Sequence, residues 1–282
     1  MTFLLSVFAL TTVYVVVGIL ERRPALRFRR LPSPRPYLAT DTAWYGLAIV
    51  ATAVSVFAFQ PLLSKLAIGP VAGRVEALPT AAKLLIAIVT FDLLSFLVHR
   101  QLHRSDRLWE FHKVHHSTLQ LDGFATTRTH MFENLIRFVP PQAVLFAIGM
   151  PVEVVAPTVA IAAIYGVSNH SNLGIGLRPI EALLVTPRLH RRHHVPATTQ
   201  NNFGAIFTIW DRLFGTLVRA ETAPDERYGV PGEIDTFPQR FPAAFRRPMS
   251  ESLRRPSRLP GGGSEARALT DEAEARRRLH AR

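Results

Sequence analysis

The chain of 282 residues contains no cysteine. That absence excludes disulfides, thiolate-ligated zinc, iron–sulfur clusters and thiol nucleophiles. A G-x-G-x-x-G fingerprint is also missing, so no dinucleotide site of the doubly wound kind is encoded. There is no H-E-x-x-H, which removes the zincin type of metalloprotease. Acidic residues are scarce beside basic ones, 21 against 33, and the net charge is +12. In a soluble protein that surplus would point to nucleic acid. Here the basic residues flank apolar runs, so a membrane accounts for them and no nucleic-acid partner is expected.

Charge is also missing from long stretches. Positions 3–20 and 43–63 carry none, and positions 84–98 hold only Asp92. About 20 apolar residues suffice for a helix to span a bilayer core. Positions 138–167 are apolar but punctuated by Pro140, Pro141 and Pro151, which predicts two short helices in a hairpin. The first run lacks a basic start and a small-x-small cleavage site, so a retained helix is expected over a signal peptide. The expected fold class is an all-α integral membrane protein. It would have four to five membrane-embedded helices and a cytoplasmic, histidine-rich helical cap. Three regions are expected: N-terminal transmembrane helices over 1–80, a catalytic core over 81–221, and a polar, partly disordered tail over 222–282.

The loop at 21–36, ERRPALRFRRLPSPRP, is strongly basic and is expected in the cytoplasm. Counting spans from it puts every clustered histidine on that same side. Residues 203–218 read as an amphipathic helix or interfacial segment. Residues 245–282 read as a disordered or frayed helical tail.

Histidine is what the chain has in a pattern. Ten of the eleven fall between 99 and 194. H-x-x-H-H occurs twice, as His112, His115, His116 and as His190, His193, His194. His99 and His103 form H-x-x-x-H, and His130 and His170 stand singly. On a helix, residues three and four apart share a face, so each group can present imidazoles toward one point. Neutral imidazole ligates iron, zinc, copper and nickel. One triplet alone could be a solvated surface cluster. Two triplets with an H-x-x-x-H point to metal. The number of histidines exceeds the three or four ligands of a zinc site, so two metals are expected. No E-x-x-H occurs among the clustered histidines, unlike the carboxylate-rich ferritin-like centres.

These stretches resemble the fatty acid hydroxylase / sterol desaturase superfamily of membrane histidine-box oxygenases. The resemblance runs through DLLSFLVHRQLH (92–103), WEFHKVHHS (109–117), THMFE (129–133), SNHSNLG (168–174), TPRLHRRHH (186–194) and NNFGAIFTIWDRLFGT (201–216). It is nearest the bacterial sterol-desaturase-type or alkylglycerol-monooxygenase-type branch. It implies two non-haem iron ions, with O2 as cosubstrate. The implied metal-binding, catalytic residues are His99, His103, His112, His115, His116, His170, His190, His193 and His194. The family often shows Arg-x-His-Pro-x-Glu where this chain has Arg128 to Glu133 without the proline. His130 is therefore expected to support the site or the fold. Only His170 stands in the middle region, so Asn169, Asn172 or water would complete a shell.

Asp92 lies seven residues before His99 on the same helical face. A carboxylate there would accept the outer N–H of a ligating histidine, or else cap a helix or pair with an arginine. Asp211 is similar, or pairs with Arg212 or Arg188. Trp109 and Trp210 are expected as interfacial anchors. Arg100, Arg104, Arg188, Arg191 and Arg192 would make the metal face basic. That face would meet lipid headgroups or an acidic electron donor, or would reflect positive-inside bias alone.

The implied activity is hydroxylation or desaturation of a lipid: sterol-like, fatty acyl, ether lipid or carotenoid. Electrons would come from a ferredoxin, a cytochrome b5-like protein or an NAD(P)H reductase. The expected location is a bacterial inner membrane, with the histidines on the cytoplasmic face. Two readings compete. A metal transporter needs ionisable groups through the membrane depth, and these are nearly absent. A membrane zinc hydrolase needs a general base beside an open zinc.

Overall fold

The computed structural model describes residues 2–33, 35–174 and 178–254. Every regular element among them is helical, and two isolated bridges, Arg27 with Leu173 and Leu184 with Phe207, stand in place of a sheet. The helices are α1 (Thr2–Leu20), α2 (Leu38–Val54), α3 (Gln60–Leu63), α4 (Gly69–Glu76), α5 (Thr80–Arg104), α6 (Asp106–His116), α7 (Met131–Ala147), α8 (Val152–His170), α9 (Pro187–His193), α10 (Ile209–Leu213) and α11 (Phe241–Arg254). A wide turn at Ser55–Phe59 joins α2 to α3, so helical structure runs on from Leu38 to Leu66.

Three of these stretches are long and apolar enough to cross a membrane: Leu38–Leu66, Thr80–Arg104 and Val152–His170. Val7–Leu20 is a shorter apolar stretch. Their outward faces are apolar. Phe8, Phe57, Leu62 and Leu85 are each more than 60% exposed. Such an exposed apolar surface requires a lipid or protein partner.

Local signals explain the breaks. Ser105 ends α5 and accepts from Leu108 N–H at 3.4 Å, which starts α6 at once and turns the chain. Asp122 caps the tight turn at Gly123–Thr127 by accepting from Ala125 N–H at 3.1 Å. Thr186 caps α9, with Pro187 in its first turn. The expected hairpin over 138–167 is present, but its helices are longer than the prolines suggested. Pro140 and Pro141 sit inside α7 and Pro157 inside α8. The reversal comes instead at Gly149, whose φ of 87° is open to glycine and whose missing Cβ lets Ala72 approach.

The membrane-side core joins Ala87 and Phe91 of α5 to Leu145 and Phe146 of α7 and Val155 of α8. A second core joins Trp44 and Val114 to Val230, Phe237 and Ala244. This second core changes the reading of the C-terminal region. Residues 245–254 do not trail away but complete α11, which packs on α6; residues 255–282 lie outside the described residues. The segment 203–218 is also not one amphipathic helix. It is a loop with a five-residue helix, Ile209–Leu213. Its backbone N–H groups go to buried carboxylates rather than to a helical ladder.

Candidate metal centre

The chain buries imidazole where most proteins bury hydrocarbon. His112, His116 and His193 are fully enclosed, and the other six clustered histidines between 99 and 194 are nearly so. They form two groups. His99, His103, His112, His116 and His193 bring ring nitrogens within 4.8 Å of one another, and so do His115, His170, His190 and His194. Each group can hold a metal ion. The groups abut: the rings of His116 and His194, one from each, are stacked with centroids 4.6 Å apart.

Helical geometry divides the triplets. Successive residues turn by about 100°, so i and i+4 stay close in direction while i+3 falls to the other side. From α6, His112 and His116 enter the five-membered group and His115 enters the four-membered one. From α9, the pairing is reversed: His190 and His194 enter the smaller group and His193 the larger. The expectation that one triplet aims at one point is therefore corrected. Each triplet serves both groups.

Four rings are oriented by groups that can only accept a proton. His99 Nδ1 donates to Phe203 O at 2.9 Å, His193 Nδ1 to Asn201 O at 2.7 Å and His170 Nδ1 to Gly166 O at 2.8 Å. His112 Nδ1 donates to the Glu133 carboxylate at 2.7 Å. A neutral imidazole has one N–H, so in His99, His170 and His193 Nε2 keeps a bare lone pair. Burial, reinforced by neighbouring imidazoles, pushes His115, His116, His190 and His194 far below the usual histidine range and His193 down to about 3. These rings are neutral near pH 7.

The donor set suits a transition metal. Nε2 of His99, His112 and His193 and both nitrogens of His103 and His116 are buried with no hydrogen-bond partner. Orphaned buried polar atoms are costly unless something satisfies them. In the smaller group, Nε2 of His170 lies 3.0 Å from that of His115, 3.0 Å from that of His190 and 3.3 Å from that of His194. A metal–nitrogen distance of about 2.1 Å gives tetrahedral edges of roughly 3.4 Å. Converging lone pairs at this spacing fit a cation between them.

The remaining expected site residues fall elsewhere. Asp92 touches no histidine. It accepts from Ile206 N–H at 2.7 Å, Phe207 N–H at 3.0 Å and Trp210 Nε1–H at 2.8 Å. Asp211 pairs with neither Arg212 nor Arg188; it accepts from Phe203 N–H at 2.9 Å, Gly204 N–H at 2.8 Å and Thr216 Oγ1–H at 2.6 Å. The two carboxylates pin the loop whose Phe203 carbonyl orients His99. Gly204 is required there, because a Cβ would lie 2.8 Å from Phe207 O and 2.9 Å from Asp211 Oδ2. His130 lies outside both groups. It caps α7 by accepting from Phe132 N–H at 3.2 Å, and its other nitrogen lies 3.2 Å from Phe245 O. That cap sets the first turn of α7, which carries Glu133 to His112.

Glu133 is the functional residue that sequence reasoning missed. Its signal was present in R-T-H-M-F-E, five residues after Arg128. Trp109 and Trp210 each touch the site or its supports. Trp109 packs on His103 with centroids 4.9 Å apart, and Trp210 serves Asp92. Asn172 faces away from the histidines, donating to Arg29 O at 2.8 Å, while Asn169 donates to Ala205 O at 2.6 Å. Arg191 and Arg192 are buried staples rather than a basic face. Arg191 donates to Ser171 O and Leu173 O, both at 3.0 Å, and Arg192 pairs with Glu226 at 2.9 Å.

Fold and site together define a class: a helical membrane protein with a buried, histidine-only candidate metal centre. The core of the chain, residues 84–216, matches the fatty acid hydroxylase family. Among curated proteins, the ornithine lipid hydroxylase OlsE of Rhizobium tropici is 31% identical over 158 residues, 55% of this chain and 48% of that protein. The alkylglycerol monooxygenase of Danio rerio is 33% identical over 157 residues, 54% of this chain and 34% of that protein. The sphingolipid C4-hydroxylase sur2 of Schizosaccharomyces pombe is 26% identical over 147 residues, half of each chain. The matches thus span about half the length of these relatives or less. No solved structure matches the chain.

Proposed function

We propose that this chain is a membrane di-iron oxygenase that hydroxylates a lipid. The observation that carries the reading is the pair of adjacent, buried, all-imidazole groups with orphaned ring nitrogens. The names of the relatives favour hydroxylation over desaturation. His99, His103, His112, His116 and His193 would hold one ion, and His115, His170, His190 and His194 the other. When bound, the irons supply activation of O2, which protein side chains cannot provide for an apolar C–H bond.

The chain's own part is preparation. Phe203 O, Asn201 O, Gly166 O and Glu133 hold the protons on Nδ1 and so aim Nε2 inward. Phe203, buried against the rings of His99, His103 and His193, keeps water from that group. The apolar outer faces of α5 and α8 would let a lipid chain approach from the bilayer. Without a dinucleotide fingerprint, electrons would come from a partner: a ferredoxin, a cytochrome b5-like protein or an NAD(P)H reductase. The basic 21–36 loop supports a cytoplasmic orientation of the histidines, in a bacterial inner membrane. The proposed regions remain membrane helices over 1–80, the catalytic core over 81–221 and a polar tail over 222–282, with α11 docked back on the core.

The test is metal content of the detergent-purified protein after anaerobic ferrous loading, followed by lipid product analysis under 18O2. About two irons per chain and label in a lipid hydroxyl support the reading. One zinc, with iron excluded and no labelled product, overturns it in favour of a zinc hydrolase.

A further inference from the structure

We propose that the basic loop between α1 and α2 forms a phosphate-binding trough, and that its occupant is the headgroup of an anionic lipid. The inference deepens the lipid-oxygenase reading by naming a substrate class, and it rests on that reading only for calling the bound lipid a substrate.

A cavity of about 740 Å³ lies at the foot of α2, lined in part by Arg29, Arg30, Arg35, Tyr37 and Arg128. A second cavity of about 340 Å³ is lined by Arg22, Arg27 and Arg30. Arg30, Leu31 and Pro32 line both, so the two adjoin. This volume suits a small-molecule group rather than a flat protein contact.

The charge is cancelled only in part, and Arg22 lies 3.8 Å from Glu21. Arg35 and Arg128 are committed to Asp41, and Arg35 also to Asp122. Arg29 donates to the carbonyls of Pro224 and Glu226 and lies over the Tyr228 ring at 4.4 Å, none of which neutralises it. Among the described residues, no carboxylate pairs with Arg27 or Arg30, and Asp225 is the one other acidic lining group. Guanidinium forks match phosphate oxygens in geometry as well as charge.

Position selects a lipid. Tyr37 lines the cavity, and it and Leu38 are exposed at the start of an apolar span. The trough therefore opens where headgroups lie. It is also bound to the metal centre. Phe28 N–H donates to Asn172 O at 2.6 Å and Gly174 N–H to Leu26 O at 2.7 Å, just after His170. Arg191, between His190 and His193, lies over the Phe28 ring at 4.1 Å. A headgroup held here would fix how far along its chain the lipid meets the irons.

The experiment measures binding by calorimetry to the full-length, iron-loaded protein in detergent. The probes are dioctanoyl phosphatidic acid, dioctanoylglycerol and inorganic phosphate. The variants are R27A/R30A and R30E, at side chains outside the packed core. We expect the phosphatidic acid to bind at least about tenfold more tightly than dioctanoylglycerol, and either variant to erase that margin. Equal binding of the two lipids, or a margin that survives in both variants, overturns the site. Inorganic phosphate binding as tightly as the lipid overturns the lipid assignment and leaves a free-anion site. Unchanged lipid binding with slowed reduction by an acidic ferredoxin overturns it in favour of donor docking. Iron content is read in the same samples. Full iron with no headgroup margin sinks the trough alone, whereas a headgroup margin on a chain that refuses iron sinks the oxygenase reading alone.

Discussion

The two histidine groups are built to different standards. In the five-membered group, His99, His112 and His193 each have Nδ1 tied to a carbonyl or carboxylate. In the four-membered group only His170 is tied, to Gly166 O of its own helix, and the four Nε2 atoms crowd one another instead. The first group is oriented by the protein before any ion arrives. The second needs a cation to reconcile its lone pairs. Preorganisation and ligand count therefore fall on the same side, and loss of one ligand should be felt most in the smaller group.

The largest expected effect tests that asymmetry directly. His190→Ala leaves three ligands in the smaller group, and metal content should fall from two ions toward one, with activity down by more than the ~100-fold typical of outer partners. His103→Ala leaves four ligands in the larger group, and metal content should stay nearer two. Equal losses, read by mass spectrometry of the purified variants, would erase the distinction.

Glu133→Gln comes next. The amide keeps the shape but removes the charge that steadies the His112 N–H. Metal affinity of the larger group should drop roughly 10–100-fold, with the smaller group untouched. An iron titration with two resolvable steps checks it; a shift in both steps would mean that Glu133 serves the whole centre.

Asp92→Asn acts one stage further out. It leaves buried N–H groups of Ile206, Phe207 and Trp210 with a poorer acceptor, at a cost of about 1–3 kcal/mol in stability. Because the same loop offers Phe203 O to His99, the larger group should also hold its metal less tightly. Denaturant unfolding in detergent and the same titration separate the two effects. The smallest change is Trp210→Phe, which removes a single hydrogen bond to Asp92 and should cost about 1 kcal/mol with metal content unchanged.

Much of this was legible in the chain. The apolar runs announced the long helices because a bilayer-length stretch without charge has few other stable fates. The histidine spacing announced the centre because imidazoles three and four apart on a helix have no structural use in common. The tryptophans, Asp92 and Asp211 were legible only as unusual residues. The partners of Asp92 lie more than a hundred residues along the chain, in a loop that pattern alone presented as an amphipathic helix and that Asp211 pins from within. Glu133 was hidden because its target, His112, sits on another helix. Arg191 and Arg192 looked like surface charge because their positive sign was visible and the carbonyls and carboxylate that bury them were not.

By itself, then, the sequence determined which chemistry is available: eight imidazoles at helical spacing with His170 beside them, no thiolate, and apolar helices to carry them. Only the tertiary structure decided how those imidazoles are shared. The turn at Ser105 brings α6 back beside the end of α5, and α9 meets both of them and the end of α8 through its histidines. A helix fixes the angle between neighbouring side chains, but which point in space each one meets depends on where the other helices stand. That placement assigned His115 and His193 to groups apart from their neighbours and decided which imidazoles each of the two groups takes.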